Sequence, residues 1–189
     1  MEYAEIQRIL KTLVIIVDTR EHQTEGLLAR IVDTGLPYTR RKLDFGDYSC
    51  MATLHTGQVV SFENSVVVER KMSLAELAQC FTGNRERFAA EFERAKAVGA
   101  KTYLLIEDGS LDKVVTHSYR SQMNPTAFIA SIFAWLARYD CQVLFCKPSN
   151  TGKMIREIMS KEVAERLRAY DRTKVCGNNQ ERGERSENA

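Results

Sequence analysis

The sequence predicts an α/β fold, a central mixed β-sheet flanked by helices on both sides. Three observations predict it. Short apolar runs that suit strands alternate with longer stretches of helical period. No segment repeats. The tetrad His55-Thr56-Gly57-Gln58 suits a hairpin turn and so puts an antiparallel pair into a sheet otherwise built by helical crossovers.

The elements follow in order. Residues 2–11 form a short amphipathic helix with Ile6, Ile9 and Leu10 on one side. Leu13 to Val17 is a central strand that ends in the polar run Asp18-Thr19-Arg20-Glu21. Thr24 caps a helix over 25–35, with Leu27, Leu28, Ile31 and Val32 as its apolar stripe and Gly35 as its stop. Tyr38 to Leu43 reads as a strand whose Arg40-Arg41-Lys42 run marks an exposed edge. Asp44 to Tyr48 turns into a strand over Tyr48–Leu54, and Val59–Phe62 returns from the hairpin. Glu63-Asn64-Ser65 breaks that run before the strand Val66-Val67-Val68.

Ser73 opens a helix with Ser73-x-x-Glu76 as a capping box, and a second helix over 85–98 stops at Gly99. Thr102 to Ile106 is a further strand, ending in Glu107-Asp108-Gly109, and 110–123 is loop or short helix. Asn124-Pro125 starts a helix that runs to Tyr139 with a wide aromatic surface. Gln142 to Cys146 is the last strand, and a final helix covers about 151–169. Residues 1–170 thus form one domain. Residues 171–189 are polar, without period, and read as a disordered tail.

The 189 residues suffice for one well-cored domain, and a net charge of +2 gives little bulk attraction to nucleic acid. Five scattered cysteines without a CxxC pair argue against a zinc site or disulfide framework, and for a reducing cytoplasm. The run Leu13–Val17 is too short to cross a membrane.

Chemistry concentrates in Ser65-Val66-Val67-Val68-Glu69-Arg70-Lys71. A strand this apolar ends in three charges. Alternation puts Glu69 and Lys71 on one face and Arg70 on the other. A carboxylate and an ammonium then share one spot, suited to holding a divalent cation and steering water. The bland alternative is an exposed ion pair at a strand end. Asp47, after Gly46 and one hairpin upstream, adds a second carboxylate. Hard Mg²⁺ takes oxygen ligands and keeps several waters, so two or three carboxylates fix it and leave room for a phosphate oxygen.

Gly46-Asp47-Tyr48 followed by Val68-Glu69-Arg70-Lys71 resembles the XPF-type structure-specific endonuclease family, with its GDx(n)ERKx(3)D signature inside the PD-(D/E)xK, restriction-endonuclease-like superfamily. Val17-Asp18-Thr19-Arg20-Glu21 looks like that family's V-D-x-R-E segment. Arg85-Glu86-Arg87-Phe88 and Tyr103-Leu104-Leu105-Ile106-Glu107 extend the likeness across roughly 13–146. The resemblance implies Asp18, Asp47 and Glu69 as metal ligands, with the Arg70 carbonyl as a further one. It implies Lys71 positioning the attacking water, Arg20 and Glu21 completing the pocket, and Arg85 or Arg87 facing the scissile phosphate. Arg40 and Arg41 are either phosphate contacts or a solvated edge. The family's last Asp would fall at position 75, where this chain has Ala75 and then Glu76; Glu76 either substitutes for it or only caps its helix. No room remains after the final helix for the family's helix-hairpin-helix module.

What this implies is an endonuclease using Mg²⁺, with Mn²⁺ also supporting activity. It would cut branched DNA at flaps, forks or junctions in repair or recombination, reading shape rather than base sequence. Its place would be the cytoplasm, on the nucleoid of a prokaryotic or phage-infected cell. Partners would be a second copy, docked through helices 125–139 and 151–169, and an accessory DNA-binding protein. The competing readings are a catalytically silent DNA-binding scaffold and a restriction-like nuclease. Retention of Asp18, Asp47, Glu69 and Lys71 weighs against the first, and the lack of a recognition domain against the second.

Overall fold

The structure, a computed structural model, describes the backbone of residues 1–184 and the side chains of residues 1–169. Its seven strands are β1 (Val14–Val17), β2 (Tyr38–Arg40), β3 (Tyr48–Thr53), β4 (Val59–Ser61), β5 (Val66–Lys71), β6 (Lys101–Glu107) and β7 (Gln142–Cys146). They form one sheet in the order β2-β1-β3-β5-β6-β7, with β4 paired to β3. β1 runs parallel to β2 and antiparallel to β3, while β5, β6 and β7 are mutually parallel. The sheet is therefore mixed, and the hairpin at Gly57 supplies part of its antiparallel half.

Helices cover both faces. On one lie α1 (Tyr3–Leu10), α2 (Glu25–Thr34) and α7 (Thr151–Glu184), which bury Ile6, Leu27, Ile155, Met159 and Val163 against Ile15, Val17 and Val68. On the other lie α3 (Leu74–Phe81), α4 (Arg85–Ala97) and α6 (Pro125–Tyr139), with the short α5 (Leu111–Val115) beside α6. Their core is aromatic: Phe81, Phe88, Phe92 and Tyr139 surround Trp135, and Phe88 stacks on it at 5.6 Å. The three valines of β5 are at most 1% exposed, as expected of a strand covered on both sides. The caps are as the sequence implies. The Thr24, Ser73 and Asn124 side chains each accept from main-chain amides in the first turn of their helix.

Several expectations change. β2 stops at Arg40: the Arg41 amide still donates to the Val17 carbonyl at 3.0 Å, and the chain then enters a loop that buries Leu43. α2 packs through Leu27, Ile31 and Thr34, so Leu28 and Val32 fall outside the stripe and stand 52% and 78% exposed. Phe128, Ile132 and Trp135 of α6, and Ile155, Met159 and Val163 of α7, are spent on this chain's own core. The surface expected to meet a second copy thus shrinks on α6 to an outer strip around Phe133, which is 53% exposed. The expected tail at 171–189 lies outside the described side chains. Among the described residues no helix is long and apolar enough to cross a membrane.

Candidate active site

β3 and β5 meet at a single register pair, Tyr48 opposite Val68. One step further in an antiparallel register puts Asp47 opposite Glu69. The chain reaches that position through Gly46, whose φ is +72° and where a Cβ would lie 2.9 Å from the Cβ of Val67. The Asp47 amide donates to the Val68 carbonyl at 2.9 Å, and the Arg70 amide donates back to Asp47 Oδ2 at 2.7 Å. Lys71 Nζ donates to Glu69 Oε1, and the ammonium lies 5.2 Å from the centroid of the Phe88 ring. Strand alternation holds: Glu69 and Lys71 share a face, and Arg70 crosses to the other.

Asp47, Glu69 and Lys71 line a cavity of about 290 Å³ walled by α3 and α4. Five carboxylates line it (Glu21, Asp47, Glu69, Glu76, Glu91) against three cations (Arg20, Lys71, Arg87). Burial pushes the Asp47 carboxyl well above the usual carboxylate range, and the charge of Glu69 pushes it further. Burial likewise raises Glu69, against the pull of Lys71. Burial alone would lower the Lys71 ammonium, but Glu69 and Asp47 outweigh it and raise it. At neutral pH Lys71 is therefore an ammonium. Two desolvated carboxylates with surplus negative charge around them are a donor set that fits a hard divalent cation. Among the described residues no three His, Cys, Asp or Glu side chains are arranged to hold an ion. The pair Asp47 and Glu69 is what the pocket offers.

The other expected site residues divide. Asp18 is 1% exposed but does not line the cavity. Its Oδ1 accepts from the Arg20 amide at 2.6 Å and from Arg20 Nε at 2.9 Å. Its Oδ2 accepts from Arg20 Nη2 at 3.1 Å and the Leu43 amide at 2.7 Å. Those bonds hold its carboxyl below the ordinary value despite burial. In this arrangement Asp18 braces the loop after β1. Arg20 reaches from Asp18 to Glu91 at 3.6 Å and lines the cavity. Glu21 lines it too, accepting from the Tyr48 hydroxyl at 3.2 Å.

Arg40 is not a free DNA contact, because its Nη2 donates to the carbonyls of Thr19 and Glu21 at 3.0 and 2.5 Å. Arg41 pairs with Glu63 at 2.7 Å. Arg85 turns away from the cavity: its Nη1 donates to the Phe81 carbonyl at 3.1 Å and its guanidinium lies 5.0 Å from the Trp135 ring. Arg87 lines the cavity and, among the described residues, pairs with nothing. Glu76 caps: its Oε2 accepts from the Met72 amide at 2.7 Å, while its side chain also borders the cavity.

Two groups were missed by the sequence reading. Glu91 lines the cavity one helical turn after Arg87, a spacing that was visible in the sequence. Glu107, at the end of β6, is 4% exposed beneath the sheet. It accepts from Arg70 Nη1 at 3.0 Å and from the Thr151 hydroxyl at 2.6 Å, with Arg30 at 3.7 Å. The guanidinium of Arg70 therefore anchors β5 from the side opposite the cavity and takes no place in it.

A family model described as the ERCC4 domain matches residues 17–158. Solved structures similar to the chain include XPF from Aeropyrum pernix, at a TM-score of 0.54 and 21% identity over 77% of this chain and 59% of that one. XPF from the same organism in complex with DNA gives a TM-score of 0.55 at 19% identity over 77% of this chain and 62% of that one. The chain spans about three fifths of the length of these structures. No curated protein sequence matches it. The shared architecture is the restriction-endonuclease-like sheet described above.

Proposed function

The chain belongs to the ERCC4-domain family, and from that premise we propose that it is a metal-dependent endonuclease that hydrolyses phosphodiester bonds in branched DNA. One observation carries the reading. Asp47 and Glu69 are held opposite each other in a cavity with surplus negative charge, and an ammonium sits beside them. A protein gains nothing in stability from two buried like charges, so the arrangement points to a bound cation.

A divalent ion such as Mg²⁺ or Mn²⁺, held by Asp47, Glu69 and the Arg70 carbonyl, would acidify a water and take up charge on the phosphate. Asp18 would join these ligands only by giving up its bonds to Arg20. Lys71 stays protonated, so it is not the base; it orients the water and neutralises the phosphate. Arg87, unpaired at the cavity, is the group for a non-bridging phosphate oxygen. In the reaction a water oxygen bonds to phosphorus, the bond to the departing sugar oxygen breaks, and that oxygen takes up a proton. The side chains of the cavity carry no base-reading pattern, so recognition is of DNA shape.

Assembly as a homodimer is part of the proposal. α6 carries no charged residue between Asn124 and Arg138, and its outer strip around Phe133 is uncovered. An accessory DNA-binding protein would supply the affinity that a net charge of +2 does not. Action on nucleoid DNA in the cytoplasm follows from the same reading.

The test incubates labelled flap, fork, four-way and plain duplex DNA with Mg²⁺ or Mn²⁺. The native protein should cut the branched substrates. Glu69→Ala and Lys71→Ala should remain folded and cut none. Equal cutting by Glu69→Ala would overturn the site.

A further inference from the structure

A trench of about 690 Å³ continues the cavity along the outside of α3. The two share Glu76 and Gln79, so they border one another at α3. The trench lining also includes Arg120 and Ser121, from the loop between α5 and α6. Met72, 59% exposed, and Ala75 line it as well. A Met side chain here offers a flexible, polarisable apolar surface.

The guanidinium of Arg120 has no hydrogen bond or ion pair among the described residues. The trench holds a single carboxylate, Glu76, and that one is engaged by the Met72 amide at 2.7 Å. Position 75, where the resemblance implies an Asp, is an uncharged Ala on the trench wall. The absence of a charge there opens the path to a polyanion.

We propose that this trench binds the single-stranded arm of a branched DNA as it leaves the cavity, with Arg120 on a phosphate and Met72 and Ala75 against the base faces. The inference rests on the nuclease reading and specifies where its substrate runs. A duplex arm presents phosphates and hides its base faces, so it would use Arg120 and leave Met72 idle. A single strand uses both, since any base face packs on an apolar platform without regard to sequence.

The test measures DNA binding by fluorescence anisotropy in EDTA, so no cleavage is needed. The probes are a flap, a single-stranded oligonucleotide and a blunt duplex, and the variants are Arg120→Glu, Ala75→Asp and Met72→Ala. Asp in the first turn of α3 complements the helix dipole, so Ala75→Asp keeps the fold, which melting by circular dichroism checks. Arg120→Glu and Ala75→Asp should each weaken flap and single-strand binding about tenfold, and Met72→Ala about threefold. The blunt duplex, which meets the trench through its phosphates alone, should weaken with Arg120→Glu and Ala75→Asp but change less than about twofold with Met72→Ala. Native-like binding by all three variants would overturn the trench, as would a duplex loss equal to the flap loss in Met72→Ala. Cleavage by the native protein against Glu69→Ala reports separately on the nuclease reading. A protein that cuts while these variants bind normally keeps the cavity and loses the trench.

Discussion

The main-chain amide of Arg70 donates to Asp47 Oδ2 at 2.7 Å, which ties the end of β5 to the residue that opens β3. Asp47 is thus oriented by the residue that stands between Glu69 and Lys71. That residue's side chain is fixed beneath the sheet by Glu107 at 3.0 Å. The cavity's geometry therefore depends on a polar network on the opposite face.

Glu107→Gln tests that dependence. The change leaves the Arg70 guanidinium, 12% exposed, without its nearest charge. Removing one partner of a buried pair should cost about 3 kcal/mol. Thr151→Val, which takes away only a hydroxyl donor to the same carboxylate, should cost about 1 kcal/mol. Denaturant midpoints check both. Equal costs would mean that Arg70 does not need Glu107.

Asp47→Asn should stabilise the metal-free protein by about 1–2 kcal/mol while ending cleavage. The amide oxygen still accepts from Arg70, and the buried like charge is gone. Asp47's folded pKa lies above its unfolded value, so the native fold loses stability as pH rises through the folded value. The variant should lack that loss. Melting in EDTA at pH 8 measures it, and a lower melting point for Asp47→Asn would contradict the electrostatic account.

Asp18 has the opposite sign. Its folded pKa is lowered, chiefly because the bonds to Arg20 and Leu43 overcome its burial. Its contribution is present above the unfolded carboxylate value and is lost as pH falls through the folded one. Asp18→Asn should therefore cost about 2 kcal/mol at pH 7, and the gap to the native protein should close below about pH 4. A gap that stays constant to pH 3 would place Asp18's role elsewhere.

These carboxylates show what a sequence discloses. The alternation Glu69-Arg70-Lys71 fixes which face each side chain takes, because strand period is local. The caps at Thr24, Ser73 and Asn124 are equally local, and all were legible. Asp18 stood out in the sequence as a carboxylate at a strand end, but not as the acceptor of Arg20, two residues on, because the loop after β1 folds back on itself. Glu107 was illegible because its partners, Arg70 and Thr151, lie 37 and 44 residues away. Leu28 and Val32 looked like core because a helical stripe gives a face without saying how much of it a neighbour covers.

Arg85 and Arg87 separate for the same reason. Both were candidates for the phosphate, and the register of α4 against Trp135 decides between them. Arg87→Ala should lower kcat/KM on flap DNA about 100-fold, the effect of losing one charge-stabilising donor. Its denaturant midpoint should stay native, since the side chain has no partner to lose. Arg85→Ala should lose about 1 kcal/mol with its cation–π contact to Trp135. The reverse pattern would put Arg85 at the phosphate.

Gly46 offers a test of how tightly Asp47 is placed. An added Cβ there would sit 2.9 Å from Val67 Cβ and 3.2 Å from its Cγ2, at a φ of +72°. Gly57 has a similar φ, +82°, with nothing within 4 Å of the built Cβ. Both Ala variants carry the backbone cost of about 1 kcal/mol, but only Gly46→Ala adds a clash with the buried wall of β5. Gly46→Ala should therefore be less stable than Gly57→Ala by about 1–3 kcal/mol. It should also lose most cleavage, because relieving the clash moves β5 away from Asp47. Gly57→Ala at the hairpin tip should cut as the native protein does. Similar stability and activity in the two variants would show that the close approach at Val67 does not set the carboxylate's position.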